Sequence, residues 1–443
     1  MNSTPQATMP TLEERSRQRK SMTGAFIGTM IEWYDFFVFG TAAALVFSRV
    51  IYPDIAPGAA LLASFATFWV GFLMRPVGGM VFGHFGDRLG RKNVLVITLV
   101  IMGAATALIG VLPTYGQIGV LAPILLVILR AAQGFAIGGE WGGAVLLATE
   151  NARAEKRSLA GAWVQQGAPA GSILSTLMFL IVGTLPDEQF LTWGWRIPFL
   201  LSVVLVVVGL VLRVKVEESQ DFVETKKQHK TVKAPLLVAV TTAPKIVALS
   251  VIASIIAVAG AYFNNTFLLA WTTTELAMDR QIILNILLGL AILQFVWQPI
   301  AARIAERVGA TKVMIYGLIL TVLGVPFMFM AIAAASPTWI AVTLAVNVIG
   351  TTAYYALVAH ALAQAFPVAI RYSGLSFSYQ LSAMLIGGST PLIAQWILNS
   401  TGGNPWAVAA FYSVLLIATA AGVVGLSSAS RRRAERDGDH FTA

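Results

Sequence analysis

The sequence predicts an all-α polytopic membrane protein with twelve transmembrane helices in two six-helix bundles. Three observations predict it. The 443 residues are 57% hydrophobic and only 12% charged, where a soluble chain carries roughly 25% charged residues. Twelve apolar runs are each long enough to cross a hydrocarbon core, which takes roughly 20 residues as helix. Of the 30 Lys and Arg, 25 lie in the tails, in the central polar segment and in every second connection, the bias that marks cytoplasmic loops.

The elements follow in order. Residues 1–21 form a polar cytoplasmic N-tail ending in Arg15, Arg17, Arg19 and Lys20. The first run, from about Gly24 to Phe47, is too long for a signal-peptide core and lacks a convincing cleavage site, so it reads as an uncleaved helix one. Runs two to six lie at about 59–83, 94–112, 118–148, 158–185 and 195–213 and complete an N-terminal bundle over 22–213. Residues 214–243, rich in Lys, Glu and Gln, are the one long polar interruption and read as a cytoplasmic linker. Runs seven to twelve, at about 245–271, 281–302, 313–335, 338–365, 373–399 and 405–427, give a C-terminal bundle over 244–428. A cytoplasmic C-tail, 429–443, carries Arg431, Arg432, Arg433 and Arg436. The opposite connections hold only Arg49, Arg196 and Arg280, so both termini are expected in the cytoplasm.

A weak repeat relates the halves. Gly83, Asp87, Arg88 and Gly90 match Ala302, Glu306, Arg307 and Gly309, while Glu150, Arg157, Trp163 and Gln166 match Gln364, Arg371, Phe377 and Gln380. Paired halves around a central site are a recurring transporter architecture. Composition excludes other classes. With no cysteine there is no disulfide frame or Cys-bound metal. The formal charge of +9 is accounted for by topology, so no nucleic-acid partner is called for. Metal sets, Ser/His/Asp sets and phosphate-cradling loops are missing as well, and the chain is not read as an enzyme.

The strongest local signal is Gly83-His-Phe-Gly-Asp-Arg-Leu-Gly-Arg-Lys92 at the cytoplasmic end of helix two. Its glycines permit a tight turn. A single Asp87 among cations favours a gate over a plain positive-inside anchor, and Arg88 and Arg91 join it as gating candidates. Arg75, before Pro76, is a gate or a snorkelling cation, and Arg157 and Arg371 complete the gating set.

Ionisable side chains inside lipid are costly and mark pathways or charge partners. In helix one, Glu32 and Asp35 are spaced i and i+3, on neighbouring faces. In helix four, Arg130, Gln133 and Glu140 stand in an otherwise apolar and glycine-rich run. A carboxylate removed from water has its charged form disfavoured, which suits a proton carrier. Arginine does not give up its proton, so Arg130 suits an anionic substrate or a carboxylate partner. The plain alternative is a static ion pair, for instance Asp35 with Arg130, serving packing alone. Tyr34, Gln166, Asn264, Asn265, Tyr355 and Gln380 are the polar candidates for lining a substrate cavity, with His360 a lone histidine in helix ten. The glycines Gly134 and Gly138 of helix four and Gly167 and Gly171 of helix five fit close helix approach.

Together, Gly83–Lys92, the Glu-Trp-Tyr-Asp-Phe of helix one, the Arg-x-x-Gln-Gly and Gly-Gly-Glu-Trp of helix four and Gly194-Trp-Arg-Ile-Pro-Phe199 resemble the metabolite:proton symporter family of the major facilitator superfamily. The resemblance implies the major facilitator fold, alternating access, and uptake of a carboxylate or zwitterion with protons. It makes Asp35 and Glu140, with Glu32 nearby, the proton-coupling residues and Arg130 the substrate or charge-relay residue. The implied activity is symport of a small organic acid such as shikimate, with a zwitterion such as proline or betaine, or drug:proton antiport, as alternatives. No cofactor beyond the proton gradient is implied. The partners are a small molecule, protons and membrane lipid, the chain is expected to act as a monomer, and its place is the inner membrane of a prokaryote.

Overall fold

The apolar runs are helical over the greater part of their described residues in the computed structural model, which describes residues 12–89, 91–138, 165–214, 240–367 and 370–437. Helix one spans Leu12–Leu45. Helix two is built of Pro57–Leu73 and Arg75–Leu89, helix three is Arg91–Gly110, and helix four is described over Leu121–Ile137. Helix five is Gly167–Gly183 and helix six Arg196–Val214. Helix seven is broken, running through Pro244–Ala253 and Ile255–Tyr262 and then two wider π-type turns, Phe263–Leu268 and Trp271–Glu275. Helices eight, nine and ten are Arg280–Val308, Ala310–Ala333 and Pro337–Ala365. Helix eleven passes from Arg371–Ser382 through a π-type turn to Thr390–Ser400, and helix twelve is Pro405–Asp437. Among the described residues there is no strand.

Helix one begins well before its apolar run, and helix twelve continues past its own. Apolar composition marks where lipid begins, whereas helix ends follow backbone propensity, and the Glu, Arg and Lys flanks favour helix.

The outward surface is apolar. Leu108, Ile128, Ile181, Val204, Leu323, Phe327 and Val414 are exposed on six different helices, a surface that lipid covers and water would not tolerate. The inward surface carries the polar groups. In helices two and four the backbones themselves touch: a Cβ on Gly134 would collide with the Gly71 carbonyl. This is the close approach that the small residues of helix four predict.

At the face opposite the chain termini the two halves are tied together. Arg280, at the start of helix eight, donates to the Gly183 carbonyl at 3.0–3.1 Å and the Leu185 carbonyl at 2.9 Å and pairs with Asp187. Its neighbour Gln281 donates to the Leu180 carbonyl at 3.2 Å. Across the same face, Asn399 of helix eleven donates to the Gly58 carbonyl at 3.4 Å. Helix five thus ends with its free carbonyls occupied by a cation from the other half, the arrangement a helix C-terminus favours.

Candidate functional site

Asp35 lies one-third of the way from the end of helix one and is 1% exposed. It points into its own half. Ser202 of helix six donates to its Oδ1, and Thr106 of helix three donates to its Oδ2 at 3.2 Å. Gln133 Nε2 donates to Thr106 Oγ1 at 2.7 Å. One turn back on helix four, Arg130 Nη1 donates to Gln133 Oε1 at 3.0 Å, and Arg130 Nε to the Phe68 carbonyl at 3.3 Å. The spacing i and i+3 puts Arg130 and Gln133 side by side on helix four. Every donor in this chain points toward the carboxylate.

The sequence alternative, a direct Asp35–Arg130 pair, is not what forms: the two are bridged by Thr106 and Gln133. Arg130 is fully buried, with its guanidinium 4.1–4.9 Å from the ring centres of Phe39, Phe36 and Phe68. These ring faces provide cation–π attraction in place of water. Its Nη2 has no hydrogen-bond partner.

Arg75 does not snorkel. It is 6% exposed and lies between Phe36 and Phe72, at 4.3 and 4.4 Å from their centres. The Tyr262 hydroxyl of helix seven reaches it from the other half, so Arg75 joins the halves. Glu32 of helix one is buried as well. Tyr262 in turn stacks on Trp33, with ring centres 5.9 Å apart.

Behind this aromatic layer, between the halves, is a small cavity of about 50 Å³. Trp33 of helix one, Ser172 of helix five, Asn264 and Asn265 of helix seven, Gln294 of helix eight and Tyr355 of helix ten are on its wall. Among the described residues, no carboxylate, amine, guanidinium or imidazole lines it. Asn264 Oδ1 is buried there with no partner, an acceptor that a ligand hydroxyl or N–H would satisfy. The break in helix seven explains why adjacent Asn264 and Asn265 both reach this wall: a π-type turn widens the helix and rotates successive side chains.

Of the residues expected to bind substrate, Asn264, Asn265 and Tyr355 therefore line the cavity. Tyr34 instead donates to the Pro198 carbonyl at 2.6 Å, locking helix one to helix six. Gln133 is committed to the chain that ends at Asp35. Gln166 crosses the halves to the Phe295 carbonyl at 2.8 Å, and Gln165 to the Tyr355 carbonyl at 2.7 Å. Gln380 is buried on helix eleven. His360 and Gln364 are bonded to each other at 2.9 Å. The side chains of Gly83–Lys92 lie outside the described residues, as do Glu140 and Arg157 altogether. Arg371 is placed at the start of helix eleven.

Sequence reasoning missed Thr106, Ser202 and Trp33. A threonine within an apolar helix usually turns its hydroxyl to the carbonyl four residues back, as Thr272 and Thr343 do here. Thr106 does that too, toward Met102. Nothing in its local sequence shows that it also faces Asp35.

Known proteins resemble this chain along nearly its whole length. Residues 21–240 match the family model described as "Sugar (and other) transporter". The chain is 43% identical over 406 residues to the shikimate transporter of Escherichia coli, covering 90% of this chain and 91% of that protein. It is 33% identical over 428 residues to the proline/betaine transporter of Salmonella typhimurium, covering 94% and 84% respectively. Among solved structures, the D-xylose-proton symporter superposes with a TM-score of 0.73 at 16% identity, covering 92% of this chain and 97% of that one; this likeness concerns the fold.

Proposed function

The chain belongs to the metabolite:proton symporter family of the major facilitator superfamily, and from that premise we propose that it takes up a small organic acid together with protons by alternating access. It is a transporter and not an enzyme. One relative, of Escherichia coli, is named an inner membrane metabolite transport protein, and the helices of this chain suit a multi-pass protein of that membrane. We place both termini in the cytoplasm.

One observation carries the reading. A buried carboxylate, Asp35, has no directly paired cation among the described residues but is joined to a buried guanidinium through two neutral side chains. Unpaired charge in such surroundings is expensive. Taking up a proton at Asp35 removes that charge, which lowers the cost of enclosing the site. Among the described residues the buried central charges are Glu32, Asp35, Arg75 and Arg130, two of each sign. With Asp35 protonated, one positive charge is left over, and a carboxylate substrate restores the balance. Arg130 and Arg75 supply that attraction through the aromatic layer, while Asn264, Asn265 and Tyr355 hold the substrate body. Glu140 is retained as a second proton-coupling residue, and the cluster at Asp87 as the cytoplasmic gate. Arg280 and its carbonyl partners form the closure at the opposite face.

The uncharged cavity wall with Trp33, Phe37 and Tyr355 favours a second substrate class, a zwitterion whose cationic group would sit against ring faces. Against a fully methylated ammonium such as that of betaine stands the orphaned Asn264 Oδ1, which it cannot satisfy and a hydroxylated acid can. Purified protein in liposomes with a trapped pH dye distinguishes the two. Acidification of the lumen on adding shikimate, aromatic acids or di- and tricarboxylates supports the acid reading. Acidification with betaine or proline alone replaces it by the zwitterion, and silence to all of them removes proton symport.

A further inference from the structure

Thr106 has one hydroxyl proton and two acceptors within reach, Asp35 Oδ2 at 3.2 Å and the Met102 carbonyl at 2.9 Å. Its oxygen also has two lone pairs, one of which accepts from Gln133 Nε2 at 2.7 Å. We infer that Thr106 is a positioning residue whose hydroxyl reverses direction with the protonation of Asp35, so that the buried carboxyl gains or loses a proton while Asp35, Thr106 and Gln133 all stay hydrogen-bonded. The inference rests on the reading of Asp35 as the proton carrier.

The hydrogen count closes in both states. With Asp35 ionised, Thr106 O–H points at Oδ2, Ser202 O–H points at Oδ1, and Gln133 N–H points at the Thr106 oxygen. When a hydronium delivers a proton to Oδ2 and leaves as water, the new Asp35 O–H points at the second lone pair of Thr106. The threonine O–H, never broken, rotates to the Met102 carbonyl. The contact to Gln133 stays in place. No heavy atom needs to move, so the chain to Arg130 survives the change of charge. Ser202 offers no such alternative: among the described residues its hydroxyl has Asp35 Oδ1 as its one acceptor.

The groups that face Asp35 limit what else could produce this behaviour. From helices three and six it meets only hydroxyls. Helix four contributes Arg130, and its own helix Glu32 and Tyr34. None of these three, among the described residues, bonds the carboxyl directly, so the state of Asp35 is set at close range by two hydroxyls.

The test needs no substrate. Infrared difference spectra of the reconstituted protein, taken across pH 5 to 9 on the order of one-unit steps, read the C=O stretch of a protonated carboxyl. Wild type should give a titrating band that is missing in Asp35→Asn. Thr106→Val, which keeps the shape but has no hydroxyl, should move the band to higher frequency. It should also move its midpoint upward by about one pH unit, because the ionised form loses a charge-assisted donor. Thr106→Ser should restore both. If Thr106→Val does not fold, Thr106→Ala carries the same expectation. A band unchanged by Asp35→Asn would overturn the assignment of Asp35 itself. A band that Asp35→Asn removes, but that neither apolar variant shifts, would overturn the role of Thr106 and leave Asp35 standing.

Discussion

Gly71→Ala is the sharpest probe of whether the exact seat of Arg130 matters. A methyl at this position would lie 2.6 Å from Arg130 Nε and 3.0 Å from Cζ, whereas ordinary contact starts at 3.4 Å. The guanidinium must therefore retreat by about 0.8 Å, taking 3.4 Å as the limit. In most proteins the end of an arginine would yield at little cost. Here it is boxed in by the rings of Phe36, Phe39 and Phe68, and close packing leaves little room for side chains to give way. The bond that absorbs the shift is Arg130 Nη1 to Gln133 Oε1, now 3.0 Å; lengthened by that much it falls outside hydrogen-bonding range. A hydrogen bond from a charged donor is worth about 1.5–3 kcal/mol, roughly a ten- to hundredfold effect. Proton-driven uptake into liposomes should fall by that factor, with the purified variant still monodisperse. Wild-type uptake by a correctly inserted Gly71→Ala protein would refute the claim that the Arg130 to Asp35 chain couples the two ligands.

The other expectations follow from the same geometry. Because the chain has no cysteine, a single Ser172→Cys on the cavity wall is a clean reporter of access from the face opposite the termini. Adding Arg280→Gln should raise its labelling from that side about fivefold, the equivalent of roughly 1 kcal/mol once the exposure of Asp187 is allowed for; an unchanged rate would mean Arg280 does not hold that face shut. Asn264→Ala should raise KM about two- to tenfold with kcat nearly constant, as expected for one neutral hydrogen bond made equally in all bound states. A fall in kcat at constant KM would place Asn264 in the moving parts instead. Asp87→Asn should slow transport with insertion intact, and an unaltered rate would reduce the Gly83–Lys92 loop to a topological anchor.

How much was legible in the sequence differs from residue to residue. The twelve helices, the burial of Asp35 and Arg130 and the tight contact at Gly134 all follow from where charge and small side chains interrupt apolar runs. Tyr34 and Gln166 were equally plausible as cavity residues, yet one is spent on the Pro198 carbonyl and the other on the Phe295 carbonyl. Arg75 has the same neighbours in sequence whether it snorkels or turns inward, and only the packing of Phe36, Phe72 and Tyr262 decides between the two.

The sequence by itself determined which segments leave water, because transfer of a side chain into lipid depends on its own chemistry and on that of its immediate neighbours along the helix. It also determined that helix one and helix four would each carry charge into the bundle. Tertiary structure alone decided that Thr106 and Gln133 come between Asp35 and Arg130. A hydrogen bond needs two groups within about 3 Å and correctly aimed, and that depends on the rotation of three helices about their own axes. No single helix carries that information, so a threonine indistinguishable from its neighbours in sequence stands at the centre of the site.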